Sequence, residues 1–210
     1  MKIAVLPGDG IGTEIVAEAV KVLNVLELPF EMETALVGGA AYEAHGHPLP
    51  DTTLQLAKDA DAVLFGAVGD WKYDTLDRPL RPEQAILGLR KNLGLFANFR
   101  PAICYPELVG ASSLKPEIIS GLDILIIREL TGGVYFGEPK TITDLGNGQK
   151  RAIDTQVYDT YEIERIASVA FEMARTRKNS VCSMEKRNVM KSGVLWNEVV
   201  TAIHKEKFSD

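Results

Sequence analysis

The sequence predicts an α/β fold in two domains, and three observations lead to this prediction. Short apolar runs typical of strands alternate with helical patterns over residues 1–97, an order that is typical of a parallel sheet with crossover helices. Over residues 98–210, extended segments and amphipathic helices indicate a second α/β domain. The chain has 210 residues, 46% of them hydrophobic and 25% charged, which suits one or two globular domains.

The first domain begins with a strand over residues 2–6, a glycine-rich loop and a helix. Apolar residues recur at helical spacing through this helix, from Ile15 to Leu26. The other elements of the domain follow in chain order: strands near 30–37 and 61–66, a short helix capped at Asp51, a loop at 70–82 and a helix at 83–92.

The second domain combines extended segments with two long helices. Its clearest turn is Gly146-Asn147-Gly148, which predicts an exposed, polar hairpin between residues 134 and 158. The other elements follow in chain order: strands at 96–105 and 122–127, a helix at 161–175, a strand at 180–184 and a helix at 194–205.

Composition and charge exclude several classes of protein. The net charge of −6 and the pI near 5.2 argue against nucleic acid as the main partner. No run of uninterrupted apolar residues is long enough for a membrane span, and the apolar start at residues 1–6 is too short for a signal peptide. Cys104 and Cys182 lie far apart in apolar runs, so we expect two buried thiols and a reducing, cytoplasmic location.

Three motifs only partly match cofactor or metal signatures. Gly8, Gly10 and Gly12 lie between a strand and a helix, but their spacing is not that of a G-x-G-x-x-G fingerprint. His45 and His47 lie in a segment rich in Gly and Pro without a third ligand, so a surface loop is expected there. Three carboxylates lie among aromatic and proline residues and are not expected to bind metal: Asp70, Asp74 and Asp77.

One helix face combines an acid, an apolar patch and a cation. Glu83, Ile86, Leu87 and Arg90 are spaced i, i+3, i+4 and i+7, so they share one face of the predicted helix. This pattern suits a ligand with both charged and apolar groups. The alternative is an ordinary amphipathic helix that packs its Ile and Leu side chains in the core.

Two further arginines lie at predicted strand ends. Arg100 ends the strand-like run 95–99 and precedes Pro101, and Arg128 follows the apolar run 122–127. Together with Arg90 they would suit a di- or tricarboxylate, because each charge-assisted hydrogen bond contributes about 1.5–3 kcal/mol. Lys186 follows the strand predicted at 180–184, a position suited to chemistry in α/β folds, although a solvated surface lysine is the alternative.

The segment after Arg128 adds a flexible turn and a phenol. Gly132 and Gly133 allow the backbone to turn sharply and approach a ligand, and Tyr135 carries a hydroxyl that can give and take a proton. A strand end, a glycine turn and an edge strand with a surface arginine are the alternative.

Taken together, these motifs resemble the isocitrate/isopropylmalate dehydrogenase family over essentially the whole chain. The resemblance implies the two-domain α/β fold of isopropylmalate dehydrogenase type, which binds NAD without a Rossmann fingerprint. The motifs that carry it occur in this order: Leu6-Pro7-Gly8-Asp9-Gly10-Ile11-Gly12, Arg81-Pro82-Glu83 through Leu89-Arg90, Leu95 through Pro101, Arg128 through Pro139, and Lys186-x-Asn188-Val189.

The resemblance also implies roles for the candidate residues. Arg90, Arg100 and Arg128 are expected to bind the carboxylates and hydroxyl of 3-isopropylmalate. Tyr135 is expected to donate a proton during decarboxylation, and Lys186 to assist removal of the hydroxyl proton in the active site of a partner subunit. The implied reaction is NAD-dependent oxidation at C2 with loss of CO2, which yields 4-methyl-2-oxopentanoate in leucine biosynthesis.

Cofactors and partners follow from the same resemblance. NAD, Mg or Mn, and a homodimer clasped by the hairpin at 138–158 are implied. Glu83, Ile86 and Leu87 look suited to an isopropyl group, while isocitrate, homoisocitrate and tartrate remain alternative substrates. The segment implied to contact NAD consists of Asp70, Trp71, Lys72, Tyr73, Asp74, Thr75, Leu76, Asp77, Arg78, Pro79, Leu80, Arg81, Pro82 and Glu83.

The largest departure of the sequence from the family is the absence of two motifs. The chain contains neither the three metal-binding aspartates nor the second NAD loop that the resemblance implies. We therefore expect the N-terminal part of a longer enzyme, truncated at the C terminus and inactive alone. A non-catalytic truncated derivative is the alternative.

Overall fold

A computed structural model describes all 210 residues, which form two compact units, residues 1–94 and 95–210. The first unit has one three-stranded sheet and the second has two two-stranded sheets, and both units have helices, so the predicted α/β class is confirmed. None of the helices combines the length and the apolar character that a membrane span requires.

Three parallel strands form the sheet of the first unit. Its elements are β1 (Lys2–Gly8), α1 (Ile11–Val25), β2 (Glu31–Thr34), α2 (Gly39–His45), α3 (Asp51–Asp59), β3 (Ala62–Ala67) and α4 (Glu83–Asn92). The strand order is β2-β1-β3. Residues 3 to 6 of β1 are all buried, as expected for a central parallel strand covered on both faces. Asp51 is the first residue of α3 and not its cap, because Pro50 precedes the helix.

The two faces of β1 pack into separate cores. Ile3 and Val5 contact Val16 of α1, while Leu6 belongs to a second cluster that α4 joins through Ala85 and Leu89. The face of α4 predicted to be functional therefore does not supply this core. Its residues differ in burial: Glu83 is exposed, whereas Ile86, Leu87 and Arg90 are half-buried.

The carboxylate of Asp9 joins three loops of the first unit. Its Oδ2 accepts hydrogen bonds from the backbone N–H groups of Gly39 (2.8 Å) and Gly69 (3.0 Å), and its Oδ1 accepts one from Ala40 (2.8 Å). Asp9 is 8% exposed. A buried charge is tolerated where hydrogen bonds replace its water, so this residue fixes the loops after β1, before α2 and after β3.

Two antiparallel strand pairs and two long helices form the second unit. Its elements are β4 (Ala97–Ile103), a 3-10 segment (Pro106–Ala111), α5 (Pro116–Ile119), β5 (Asp123–Glu129), β6 (Lys140–Gly146), β7 (Gln149–Asp154), α6 (Thr160–Arg175) and α7 (Lys191–Lys207). Strand β4 pairs with β5, and β6 pairs with β7. The predicted hairpin forms at Gly146-Asn147-Gly148, where all three residues have positive φ.

Helix α6 is the centre of packing in the second unit. It contacts β5 and α7, and its buried residues include Ile163, Ile166 and Ala167. A capping box begins the helix, because the Asp159 side chain accepts from the N3 backbone and Glu162 accepts from the Asp159 backbone (2.9 Å).

Two predictions for the second unit are wrong. Residues 180–184 are not a strand, because no neighbouring strand supplies the backbone hydrogen bonds that a ladder requires. Without such pairing, Cys182 is exposed instead of buried, and Cys104 is only half-buried beyond the end of β4. Both thiols are free.

Removal of the Asp9 carboxylate is expected to destabilise the first unit. In Asp9→Ala three backbone N–H groups lose their acceptor, so we expect a loss of about 3 kcal/mol or more in the free energy of unfolding. Urea unfolding followed by circular dichroism measures this change. Asp77→Ala is the matched control, because Asp77 is exposed and caps nothing with its side chain, so it should change stability by less than about 0.5 kcal/mol. Equal stability of the two variants would contradict the role of Asp9.

Candidate functional site

The pairing of β4 with β5 brings two predicted arginines to one face of the sheet. Asn98 lies opposite Arg128, and Arg100 lies opposite Ile126. Because side chains alternate along a strand, all four residues project from the same face. The Nε of Arg100 donates to the Oδ1 of Asn98 at 2.5 Å, which orients this guanidinium along the sheet.

The turn after β5 places Tyr135 beside Arg128. The guanidinium carbon of Arg128 lies 5.4 Å from the centre of the Tyr135 ring, within the range of a cation–π contact. The ammonium of Lys140 donates to the backbone carbonyl of Tyr135, which holds the far end of the turn. Tyr135 remains 54% exposed, so its phenol is accessible to a ligand and to solvent.

Arg100, Arg128 and Tyr135 line one cleft of about 500 Å³ in the second unit. The same cleft is lined by Tyr158, Phe171 and Trp196, so with Tyr135 its wall combines two cations with four aromatic side chains. A volume of this size can hold a small organic acid. The structure therefore brings together three of the five residues predicted to contact or transform the substrate.

A buried carboxylate fixes the turn that follows Arg128. Glu129 accepts from the backbone N–H groups of Thr131 (2.8 Å) and Gly132 (2.6 Å), and from the guanidinium of Arg165 (3.0 Å). Its side chain is 1% exposed. Arg165 in turn lies 4.6 Å from the ring centre of Phe96, which connects α6 to the residue before β4.

Tyr158 is a residue of this site that sequence reasoning missed. Its ring lies against the glycine turn, where a Cβ placed on Gly132 or on Gly133 would come within 2.7 Å of it. The sequence predicts that the two glycines form a pivot for approach to a ligand, but this ring occupies the space beside them. One signal was available: Tyr158 directly precedes the capping box at Asp159, a position where an apolar residue often faces inward.

Burial raises the pKa of the Tyr158 phenol above its ordinary value. The negative charges of Glu129 and Glu162 raise this pKa further, and the positive charge of Arg128 partly opposes them. The hydroxyl of Tyr158 therefore stays protonated at neutral pH.

Lys186 does not line this cleft. It is exposed and begins the turn before α7, where its backbone carbonyl accepts from the N–H groups of Val189 (3.3 Å) and Met190 (3.0 Å). The structure therefore does not join Lys186 to Arg100, Arg128 and Tyr135 within the chain. Arg90 belongs to the first unit, where it lies half-buried on α4.

The segment predicted to contact NAD is ordered by its own side chains. It contains 3-10 turns at Trp71–Tyr73 and Arg78–Leu80, so the prediction of an irregular loop was incomplete. Arg81 donates to the backbone carbonyls of Leu76 (3.0 Å) and Asp74 (2.8 Å). The indole of Trp71 is 87% exposed and Arg78 is also exposed, so the segment offers a ring for stacking and a cation for a phosphate.

A charged cluster attaches this segment to α2. The ammonium of Lys72 lies 2.6 Å from Glu43, whose carboxylate also accepts from the hydroxyl of Tyr73 at 3.0 Å. These hydrogen bonds hold the pKa of Glu43 below its ordinary value and raise the pKa of Lys72 above its own. Burial raises the pKa of Tyr73.

Metal ligands do not converge anywhere in the structure. No three side chains of the His, Cys, Asp and Glu types are grouped so that they could hold an ion. His47 instead contacts the backbone of Leu49 through its Nδ1, at 2.9 Å from the carbonyl oxygen.

Comparison with known proteins supplies a family and several relatives. The family model described as isocitrate/isopropylmalate dehydrogenase matches residues 2–210. A 3-isopropylmalate dehydrogenase from Albidiferax ferrireducens is 73% identical over 208 residues, which are 97% of this chain and 58% of the relative. One from Brucella suis is 67% identical over 213 residues, covering 100% of this chain and 58% of the relative. The chain thus spans less than two thirds of the length of the curated relatives it matches.

Solved structures support the same fold. Isocitrate dehydrogenase from Methylococcus capsulatus superposes with a TM-score of 0.77 at 31% identity, over 98% of this chain and 57% of that one. A β-decarboxylating dehydrogenase from Thermococcus kodakarensis gives a TM-score of 0.71 at 31% identity, over 98% of this chain and 55% of that one.

Neutralising Glu129 is expected to destabilise the second unit. Glu129→Gln removes the nearer of the two carboxylates that pair with Arg165 and leaves only Glu162 at 4.0 Å, so we expect a loss of about 3 kcal/mol in the free energy of unfolding. Urea unfolding measures the change. Glu164→Gln is the matched control, since Glu164 is exposed on the same helix as Arg165 and its variant should unfold like the wild type. A stable Glu129→Gln protein would rule out the role of this carboxylate in the turn.

The Glu43 cluster is expected to open in acid. Because the folded-state pKa of Glu43 is lowered, its contribution is present above the ordinary value of 4.5 and is lost as the pH falls through the lowered value. Titration of the Glu43 carboxyl carbon by NMR should give a midpoint below 4.5 in the wild type. In Lys72→Gln the midpoint should rise, because the main cause of the shift is removed. Identical midpoints would show that the ion pair is not formed.

Proposed function

The chain belongs to the isocitrate/isopropylmalate dehydrogenase family, and from that premise we propose that it forms the substrate-binding wall of a 3-isopropylmalate dehydrogenase. The reaction oxidises the C2 alcohol of 3-isopropylmalate, releases CO2 from C3 and yields 4-methyl-2-oxopentanoate. We assign this reaction to leucine biosynthesis in the cytoplasm. The observation that carries the proposal is that Arg100, Arg128 and Tyr135 line one cleft.

The two arginines are proposed to bind the malate part of the substrate. A guanidinium pairs with a carboxylate through two parallel hydrogen bonds, so two guanidinium groups on one sheet face suit two carboxylates joined by a short carbon chain. Asn98 assists by holding Arg100, at 2.5 Å between Arg100 Nε and Asn98 Oδ1. Binding both carboxylates would fix the orientation of C2 and C3 in the cleft.

Tyr135 is proposed to donate the proton that completes decarboxylation. When the bond from C3 to the carboxylate breaks, its electron pair forms an enolate, and C3 must then be protonated. The phenol of Tyr135 lies in the same cleft as the arginines and is half-exposed, so solvent can restore its proton.

Lys186 is proposed to act across a homodimer. Its side chain is exposed and lies outside the cleft of its own chain, a position that suits delivery to a partner subunit. There it would assist removal of the C2 hydroxyl proton. The hairpin of β6 and β7 is proposed to clasp the partner, because nearly all of its residues are exposed and its strands pair only with each other.

The face of α4 is proposed to select the substrate. Ile86 and Leu87 are half-buried but lie outside the core, so they offer an apolar surface suited to an isopropyl group, and Arg90 on the same helix is a cation suited to a carboxylate. A carboxylate in place of the isopropyl group would be left unpaired against these apolar side chains. Relatives at 67–73% identity are named 3-isopropylmalate dehydrogenase, which favours this substrate over isocitrate.

NAD is proposed as the hydride acceptor, with the segment from Asp70 to Glu83 as part of its binding site. The exposed ring of Trp71 and the exposed cation of Arg78 suit its rings and phosphates. Mg²⁺ or Mn²⁺, expected for the family, does not fit any group of side chains in this chain, so we assign it no residue and no step.

The proposal is tested with a chimera in which this chain is followed by the part of the Albidiferax ferrireducens relative beyond its match. We expect NADH formation at 340 nm with 3-isopropylmalate in the presence of Mg²⁺ or Mn²⁺. Arg128→Ala should lower kcat/KM by about 10- to 150-fold, because one charge-assisted carboxylate contact is lost.

Arg177→Ala is the control for that variant. Arg177 pairs with Asp123 at 2.7 Å and does not line the cleft, so its removal should leave kcat/KM unchanged. A folded chimera that oxidises isocitrate but not 3-isopropylmalate would refute the assigned substrate. Equal losses in both arginine variants would refute the assigned cleft.

A further inference from the structure

Tyr158 lies between the glycine turn and α7. Ring carbon Cδ1 of Tyr158 would be 2.7 Å from a Cβ on Gly132, and its hydroxyl oxygen would be 2.7 Å from a Cβ on Gly133. On the other side, the ring meets Trp196 edge to face, with 5.4 Å between the ring centres. The indole Nε1 of Trp196 donates to the Oγ of Ser183 at 3.0 Å. The pair of rings is thereby hydrogen-bonded to the segment that precedes Lys186.

The part of the turn that Tyr158 contacts has no side chain of its own. Glu129 holds the start of the turn through Thr131 and Gly132, and Lys140 holds the backbone carbonyl of Tyr135. Between these points lies Gly133, whose φ of +84° only glycine adopts without strain. The backbone N–H of Gly133 donates a hydrogen bond to the carbonyl of Val157 at 2.6 Å. This contact attaches Gly133 to the residue that precedes Tyr158.

Arg128 precedes the Gly132-Gly133 turn and Tyr135 follows it, so the conformation of the turn affects their relative position. Arg128 and Tyr135 are in cation–π contact, with 5.4 Å from the guanidinium carbon to the ring centre, and along the chain the turn joins them. A turn that contains two adjacent glycines would sample many conformations if nothing packed against it. In addition to the hydrogen bonds to Glu129 and Val157, the ring of Tyr158 limits that freedom, because it fills the space into which the glycine backbone would otherwise move.

We propose that Tyr158, supported by Trp196, is a positioning residue that fixes Arg128 relative to Tyr135 through the Gly132-Gly133 turn. The kinetic part of this inference rests on the proposed function, whereas its structural part does not. The ring performs the role by packing, so phenylalanine should replace tyrosine and an aliphatic side chain should not.

The experiment compares Tyr158→Leu with Tyr158→Phe in the chimera described above. In Tyr158→Leu we expect amide hydrogen exchange in the peptide covering residues 130–135 to be at least about tenfold faster, because the turn is released. We also expect kcat per folded molecule to fall by about 10- to 100-fold, since a displacement of about 1 Å at a reacting group has an effect of this size. Tyr158→Phe should match the wild type in both measurements within about threefold.

Tyr105→Leu controls for the loss of a tyrosine in the same unit, because Tyr105 is 57% exposed and does not line the cleft. It should change neither measurement. A purely structural role of Tyr158 would lower the folded fraction but leave kcat per folded molecule and the exchange at residues 130–135 unchanged, and that result would overturn the proposal. Equal impairment in Tyr158→Phe would also overturn it. If the wild-type chimera does not oxidise 3-isopropylmalate, the proposed function fails, while the exchange measurement still decides the role of Tyr158.

Discussion

The carboxylate of Glu129 is the interaction on which the cleft of the second unit depends. It lies at the end of β5, one residue after Arg128, and it binds both the following turn and Arg165 of α6. A carboxylate that is removed from water must be fully hydrogen-bonded, so this requirement fixes the start of the turn at Thr131 and Gly132. The rest of the turn brings Tyr135 back beside Arg128. Glu129 therefore anchors the turn, while strand register places Arg100 and packing places Tyr158.

The first unit follows the same physical rule with Asp9. This carboxylate accepts three backbone hydrogen bonds, from Gly39, Ala40 and Gly69, and so gathers the loops at one edge of the parallel sheet. Glycine is required at Gly39, since a Cβ there would lie 2.1 Å from the buried ring of Tyr73. Tyr73 in turn belongs to the segment proposed to contact NAD. In each unit a buried carboxylate thus holds loops that connect the helices and strands.

The candidate residues in the cleft were predictable because their chemistry is unusual for their positions. Two arginines at predicted strand ends and a tyrosine after a Gly-Gly pair stand out in an acidic chain, although the strand of Arg100 continues beyond it to Ile103. Tyr158 was missed because its role depends on what it contacts, and its position before the capping box indicates only an inward-facing side chain and not its partners. The strand predicted at 180–184 was wrong for a related reason: an apolar run specifies burial, but only a neighbouring strand can supply its hydrogen bonds.

The sequence by itself determined the α/β class, the helix at 83–92, the hairpin at Gly146-Asn147-Gly148 and three of the residues that contribute to the cleft. Each of these rests on local periodicity, turn chemistry or side-chain type, which neighbouring residues along the chain are enough to define. Only the tertiary structure decided that Arg100 and Arg128 share a face, that Tyr158 closes the glycine turn and that Lys186 lies outside the cleft. These three positions depend on strand register and on contacts between residues that are distant in sequence. The packing of side chains in the folded protein determines them, and local sequence patterns do not.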